Sequence, residues 1–212
     1  MVTELFVFFI IAPAIVYILV PFPVLLILWL FALLCRYALI KDPEFDRTSL
    51  WRASALSSSI RLILLRFIIY SALLFAMVYV WKPELLFNLI KQRPSLWVLI
   101  IFLYPLLSVY PQEIIYRAYF FHRYRSLFPG RWLFIAVNAF LFGYMHIIFH
   151  NWVAVILTGV GGLLFALTYN RSRSILLVSI EHSLLGCSIF TIGLGQFFYN
   201  GSVGAISQGL RL

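Results

Sequence analysis

The sequence predicts an all-α fold: a polytopic transmembrane helical bundle of about seven spans, within limits of six to eight. Composition is the first observation behind this. Of 212 residues, 64% are hydrophobic and only 11% are charged, with a mean hydropathy of +1.01, a balance outside that of soluble globular domains. The second is the form of the apolar stretches. They run unbroken, whereas a membrane β-barrel alternates apolar and polar residues along short strands. The third is the placement of charge, mostly at the ends of the apolar runs.

The first run, Leu5 to Cys35, is too long for one crossing of a ~30 Å hydrocarbon core. The Pro21-Phe22-Pro23 break predicts two short spans, 5–20 and 23–39, with one long tilted helix as the alternative. The N-terminal MVTELFVFF has no basic residue, so it does not read as a cleaved signal and the first span is expected to be retained. Further spans are expected at 62–81, 96–121, 132–149, 152–169 and 174–198. Residues 82–95 mix Leu85, Leu86, Phe87, Leu89 and Ile90 with polar residues, as a short interfacial helix does. The Gly- and Ser-rich tail from Asn200 is expected to be loosely ordered. No repeat or soluble module stands out, so residues 1–212 are read as one integral-membrane domain with a motif-bearing core at 96–198.

A formal charge of +9 invites a nucleic-acid reading, but the charges follow the positive-inside pattern instead. The connections 36–61, 122–131 and 170–174 carry ten Lys and Arg, and the opposite connections with the tail carry four. The first set is therefore expected in the cytoplasm, in a plasma membrane of the bacterial inner type. Expected partners are the lipid bilayer and a membrane-associated peptide or protein; no nucleic acid is expected. Cys35 and Cys187 neither require a disulfide nor form a zinc motif.

Chemistry is concentrated in SVYPQEIIYRAYFFHRYR, where Glu113 and Arg117 interrupt an apolar span. A charge at mid-membrane costs about 2.5–3.5 kcal/mol on insertion scales, and such residues face a protein-lined interior. Four residues apart, the two share a helix face and can pair. Pro105 and Pro111 lie just upstream, each removing a backbone donor and loosening the helix. His146 and His182 lie in two later spans. The HIIFH spacing from His146 to His150 puts both imidazoles on one face, which metal sites can use. His150, at a span end, reads as interfacial. Glu181 is a second carboxylate beside His182.

These residues bear a resemblance. Gln112-Glu113-Ile114-Ile115-Tyr116-Arg117 resembles the EExxxR motif of the CPBP family, which comprises CAAX prenyl proteases and bacteriocin-processing relatives. Phe142-Gly143-Tyr144-Met145-His146 matches its FxxxH motif, and His182-Ser183-Leu184-Leu185-Gly186 resembles HxxxN in its first position. The sequence departs from the pattern at Gln112, where the first Glu would stand, and at Gly186, where the Asn would stand. The resemblance implies a helical intramembrane endopeptidase of the glutamic type, in which glutamate and histidine activate a water. Glu113, His146, His182 and Arg117 are the catalytic candidates it carries over, with Arg117 orienting Glu113, and Glu113 or Glu181 as base. No cofactor is expected. A zinc-dependent version with His146, His182 and Glu113 or His150 as ligands is one alternative. A non-catalytic accessory or immunity protein of the same fold is the other.

Overall fold

The computed structural model describes residues 1–19 and 24–198. The Pro21-Phe22-Pro23 break and the tail from Asn200 lie outside the described residues. Among the described residues, seven helices are long and apolar enough to cross a membrane: α1 (Val2–Leu19), α2 (Val24–Lys41), α3 (Ser59–Trp81), α4 (Pro94–Leu127), α5 (Arg131–Phe149), α6 (Trp152–Ser172) and α7 (Ile175–Ile192). Among the described residues there is no strand. The N-terminal run thus forms two spans.

Local sequence explains most helix ends. Asn151 and Ser174 cap α6 and α7, their side-chain oxygens accepting from the amides of Ala154 at 2.9 Å and Leu177 at 3.2 Å, which satisfies otherwise orphaned donors. Arg173 sits between the two helices in the left-handed region at φ 48°. The last span was expected to run to residue 198 but stops at Ile192. Gly193 adopts φ +129°, and a Cβ there would lie 1.9 Å from the Leu85 carbonyl oxygen, so only glycine fits. The Leu194 amide then bonds back to the Ile189 carbonyl at 2.9 Å, the six-to-one closure of a glycine-ended helix. Residues 83–85 and 88–92 form two short helical turns, the predicted interfacial element in broken form.

Helix α4 is the exceptional element. At 34 residues it is about 51 Å long, more than a ~30 Å core requires, and it overruns the expected 96–121 at both ends. It contains two wide π turns, Pro105–Val109 and Ile114–Tyr119. Pro111 has no N–H to offer the carbonyl four residues back, and that Leu107 carbonyl accepts instead from the Trp29 indole at 2.9 Å. Each π turn accommodates an extra residue, re-aiming the side chains that follow.

The two ends of the bundle are tied differently. At one, His122 Nε2 meets Asp42 Oδ2 at 2.8 Å, Ser174 Oγ donates to the Arg52 carbonyl at 2.9 Å, and Arg123 pairs with Glu4 at 2.9 Å. The His122 contact holds the Asp42 carboxyl below the usual carboxylate range. The connections 36–61, 122–131 and 170–174 therefore share one end. At the other, the Phe87 amide bonds the Ile192 carbonyl at 2.9 Å, and Asn151 Nδ2 bonds the Phe197 carbonyl at 2.7 Å.

Between the ends, α5 and α6 pack through small residues, the usual way for helices to approach closely in lipid. A Cβ at Gly162 would stand 2.9 Å from Phe142 Cδ1 and 3.2 Å from the Ala139 carbonyl oxygen, whereas one at Gly159 meets nothing within 4 Å. Gly162→Ala should therefore lower stability by about 1–3 kcal/mol through overpacking. Gly159→Ala, one turn away, should be neutral or slightly stabilising. Unfolding titrations in mixed micelles read the difference, and equal effects would refute the packing account.

Candidate active site

The site is built on the re-aimed stretch of α4. Glu113 and Arg117 are both fully buried, with Arg117 Nε 3.3 Å from Glu113 Oε2. The geometry is that of an ion pair rather than a hydrogen bond, and neither atom has a hydrogen-bond partner among the described residues. The other Glu113 oxygen, Oε1, lies 2.7 Å from His182 Nδ1 on α7. A carboxylate accepts only, so Nδ1 carries the proton of this contact.

Arg117 spends its remaining donors on two other helices. Nη1 donates to Asn138 Oδ1 of α5 at 2.6 Å, and Nη2 to the Gly162 carbonyl of α6 at 3.3 Å. Asn138 Nδ2 returns to the Tyr116 carbonyl at 2.8 Å. The guanidinium carbon sits 4.9 Å from the Phe142 ring centroid and 5.9 Å from that of Phe165, where cation–π attraction adds to the pairing. The absence of a side chain at Gly162 keeps Phe142 and the carbonyl within reach.

The His182 ring lies between Phe165, stacked at 4.4 Å and 21°, and the edge of Phe142. Its Nε2 is 3.1 Å from the Tyr104 hydroxyl of α4. His146 closes α5 in a 3-10 turn, Nδ1 lying 2.7 Å from the Phe142 carbonyl. A carbonyl accepts only, so Nδ1 is the protonated nitrogen, and in the neutral ring Nε2 carries the lone pair.

His146 and His182 border one cavity of about 100 Å³, together with Tyr104, Ser108, Gln112 and Gly186. Tyr104, Ser108, Gln112 and His146 also border a second, larger and mainly apolar cavity of about 980 Å³ between α1, α2 and α4. Glu113 borders neither; it stands behind His182. Gln112 takes the cavity-facing position, its amide donating to the Ser108 carbonyl and hydroxyl at 2.9 and 2.8 Å.

Glu113, Arg117 and His182 are thus in direct contact, and His146 shares a cavity with His182. His150 is elsewhere. The helix gives way to the 3-10 turn His146–Phe149, and His150 adopts φ 56°; it is exposed and stacks on Tyr17 at 4.2 Å. The single face expected for HIIFH does not form, because that spacing holds only while the helix stays α. Glu181 points to α3, its Oε1 2.8 Å from Arg66 Nη1, which also donates to Thr168 Oγ1 at 2.9 Å. Among the described residues no group of three or more His, Cys, Asp and Glu side chains is gathered as a metal-ligand set.

Three partners escaped the sequence reading. Arg66 and Asn138 carry the signal that singled out Glu113, a polar group inside an apolar span. Tyr104 carries none, because tyrosine is common in such spans.

Arg117→Lys should fail to replace the arginine. A lysine ammonium cannot reach the Glu113 carboxylate, Asn138 and the Gly162 carbonyl together, and breaking a buried pair costs about 3–5 kcal/mol. An unfolding midpoint equal to wild type would show that the guanidinium network does not hold α4, α5 and α6 together.

Residues 94–187 match the family described as Type II CAAX prenyl endopeptidase Rce1-like. No curated protein and no solved structure matches the chain. The matched stretch begins with α4 and runs into α7, enclosing the motifs at Gln112–Arg117, Phe142–His146 and His182–Gly186 and all the contacts among Tyr104, Glu113, Arg117, Asn138, His146, Gly162 and His182. Over residues 94–187 this integral-membrane chain is similar to the Rce1-like type II CAAX prenyl endopeptidases of the CPBP family.

Proposed function

We propose that the protein is an intramembrane endopeptidase that hydrolyses a peptide bond of a membrane-associated or signal-bearing substrate with a water activated by its glutamate–histidine set. One observation carries this: two imidazoles, each oriented by a hydrogen bond from Nδ1, border the same small cavity. His146 has its Nδ1 proton committed to the Phe142 carbonyl, leaving Nε2 to accept a proton from water. His182 is held by the Glu113 carboxylate through Nδ1, which turns Nε2 toward the Tyr104 hydroxyl on the cavity wall. In the reaction the water oxygen attacks the peptide carbonyl while its proton passes to His146 Nε2. The oxyanion is met by the His182 side of the cavity, a preorganised stabilisation contributing about 3 kcal/mol per donor. On collapse the C–N bond breaks and His146 returns its proton to the leaving amine.

In this scheme Glu113 acts through His182 rather than on water, because it does not border the cavity, and Arg117 holds Glu113 in place. Glu181, committed to Arg66, is not the base. The apolar cavity of about 980 Å³ beside the site suits a substrate bearing an apolar chain, in keeping with the family's CAAX prenyl description. No metal takes part. The alternative of a non-catalytic accessory or immunity protein draws on Gln112, a neutral amide in the cavity-facing position where the family pattern has Glu.

Glu113→Gln, His146→Ala and His182→Ala should each lower cleavage of a prenylated CAAX peptide in proteoliposomes by 10²–10⁴-fold, with the proteins still inserting and accumulating. Activity should survive EDTA, and Gln112→Glu should raise it by placing a carboxylate in the cavity. Full complementation of a deletion strain by the Glu113→Gln/His146→Ala/His182→Ala triple mutant favours the non-catalytic accessory protein; EDTA loss restored by zinc favours the metalloenzyme.

The basic end, with connections 36–61, 122–131 and 170–174, is assigned to the cytoplasmic face of a plasma membrane from its ten Lys and Arg against four. An impermeant maleimide should label a cysteine placed at Glu44 in right-side-out vesicles only after permeabilisation. Labelling before it would reverse the orientation.

A further inference from the structure

Gly186 and Tyr104 occupy one space. Gly186 is the residue of α7 one turn after His182, on the wall of the small cavity. A Cβ built on it would lie 2.4 Å from the Tyr104 hydroxyl oxygen and 2.5 Å from Tyr104 Cε1. No other residue is compatible with the phenol where it stands, and no large side chain at 186 would let it stand there. The ring is fixed edge-on against His182 and Phe190, at 6.1 and 5.4 Å between centroids. Its hydroxyl is 3.1 Å from His182 Nε2, and Tyr104 borders both cavities.

We propose that Tyr104 is a catalytic hydrogen-bond donor of this site, presenting from α4 the polar group that Gly186 cannot present from α7. The proposal rests on the hydrolytic reading above. A chain of contacts runs from Glu113 Oε1 through His182 Nδ1 and Nε2 to the Tyr104 oxygen. While His182 is neutral, its Nδ1 proton faces Glu113 and Nε2 accepts from the phenol. As substrate fills the cavity, the phenolic hydrogen turns from His182 Nε2 toward the cavity. It then meets the oxyanion formed when water attacks. Tyr104 keeps its proton throughout; it gives a hydrogen bond and no bond of its own breaks. A tyrosine placed there for packing alone would need its ring but not its hydroxyl.

The test compares wild type, His182→Ala, Tyr104→Phe, Tyr104→Ala and Tyr104→Ala/Gly186→Asn on an internally quenched prenylated CAAX peptide in phosphatidylglycerol-containing vesicles. Tyr104→Phe keeps the ring and should lose about 10²–10³-fold in kcat, with KM within about twofold, the pattern of a contact made only in the transition state. Tyr104→Ala should be as inactive. Gly186→Asn in that background, with the clash gone, should recover at least about tenfold of kcat, since an oxyanion-hole donor is typically worth 10²–10³-fold. If Tyr104→Phe keeps wild-type kcat while His182→Ala loses it, Tyr104 is not a donor and the hydrolytic site stands without it. If His182→Ala matches wild type, or wild type leaves the peptide intact, the hydrolytic reading falls and the proposal with it. Should Tyr104→Phe fail to accumulate, the double variant decides: recovery supports the donor role, and none overturns it.

Discussion

A guanidinium cannot be left unpaired in hydrocarbon, and the position of Arg117 follows from that cost. Water is absent from the bilayer core, so every donor must find its acceptor inside the protein. Arg117 draws on α4, α5 and α6 at once, through an ion pair with Glu113 and hydrogen bonds to Asn138 and the Gly162 carbonyl. The glycine contacts between α5 and α6, the burial of Asn138 and the placement of Phe142 all answer to this one side chain. Glu113 is in turn held with one oxygen toward the cation and the other toward His182. The cluster that the chemistry would use is thereby the cluster that fixes the helices.

The two departures from the family pattern become intelligible when position is considered with identity. Residue 112 faces the cavity and residue 113 does not, as expected of neighbours about 100° apart on a helix. The carboxylate at 113 therefore occupies a supporting place behind an imidazole. Residue 186 is a glycine against which a phenol packs. Both differences concern what projects into the small cavity, while the support behind it, Glu113, Arg117 and His182, stands together.

Much of this was legible in the sequence, and the reason is energetic. Unbroken apolar runs have few folds open to them in a membrane, so the helical bundle and its approximate spans could be read directly. The cost of polar groups in lipid singled out Glu113, Arg117 and His182, which prove to be neighbours. Applied as strictly to Arg66 and Asn138, the same rule would have found their pairs as well. What sequence could not convey was departure from ideal helix geometry. The π turns in α4, the 3-10 turn that carries His150 away from His146, and the stop at Gly193 all depend on tertiary contacts, among them Leu85 against Gly193 and Trp29 on the Leu107 carbonyl. Tyr104 was invisible because nothing in its sequence surroundings points to a helix 78 residues away.

The four-residue spacing of Glu113 and Arg117 also bears on the order in which the chain is made. Translation supplies about 5–20 residues per second. Arg117 waits for Asn138, 21 residues later, and Glu113 for His182, 69 residues later, a delay of about 3–14 s at that rate. Until Asn138 is made, α4 must carry two opposite charges with neither of these later partners in place. Lying one turn apart, they can neutralise each other as soon as the helix winds. A newborn span can thus enter lipid as a near-neutral rod and keep that pair while Asn138, and then His182 on the last helix, join it.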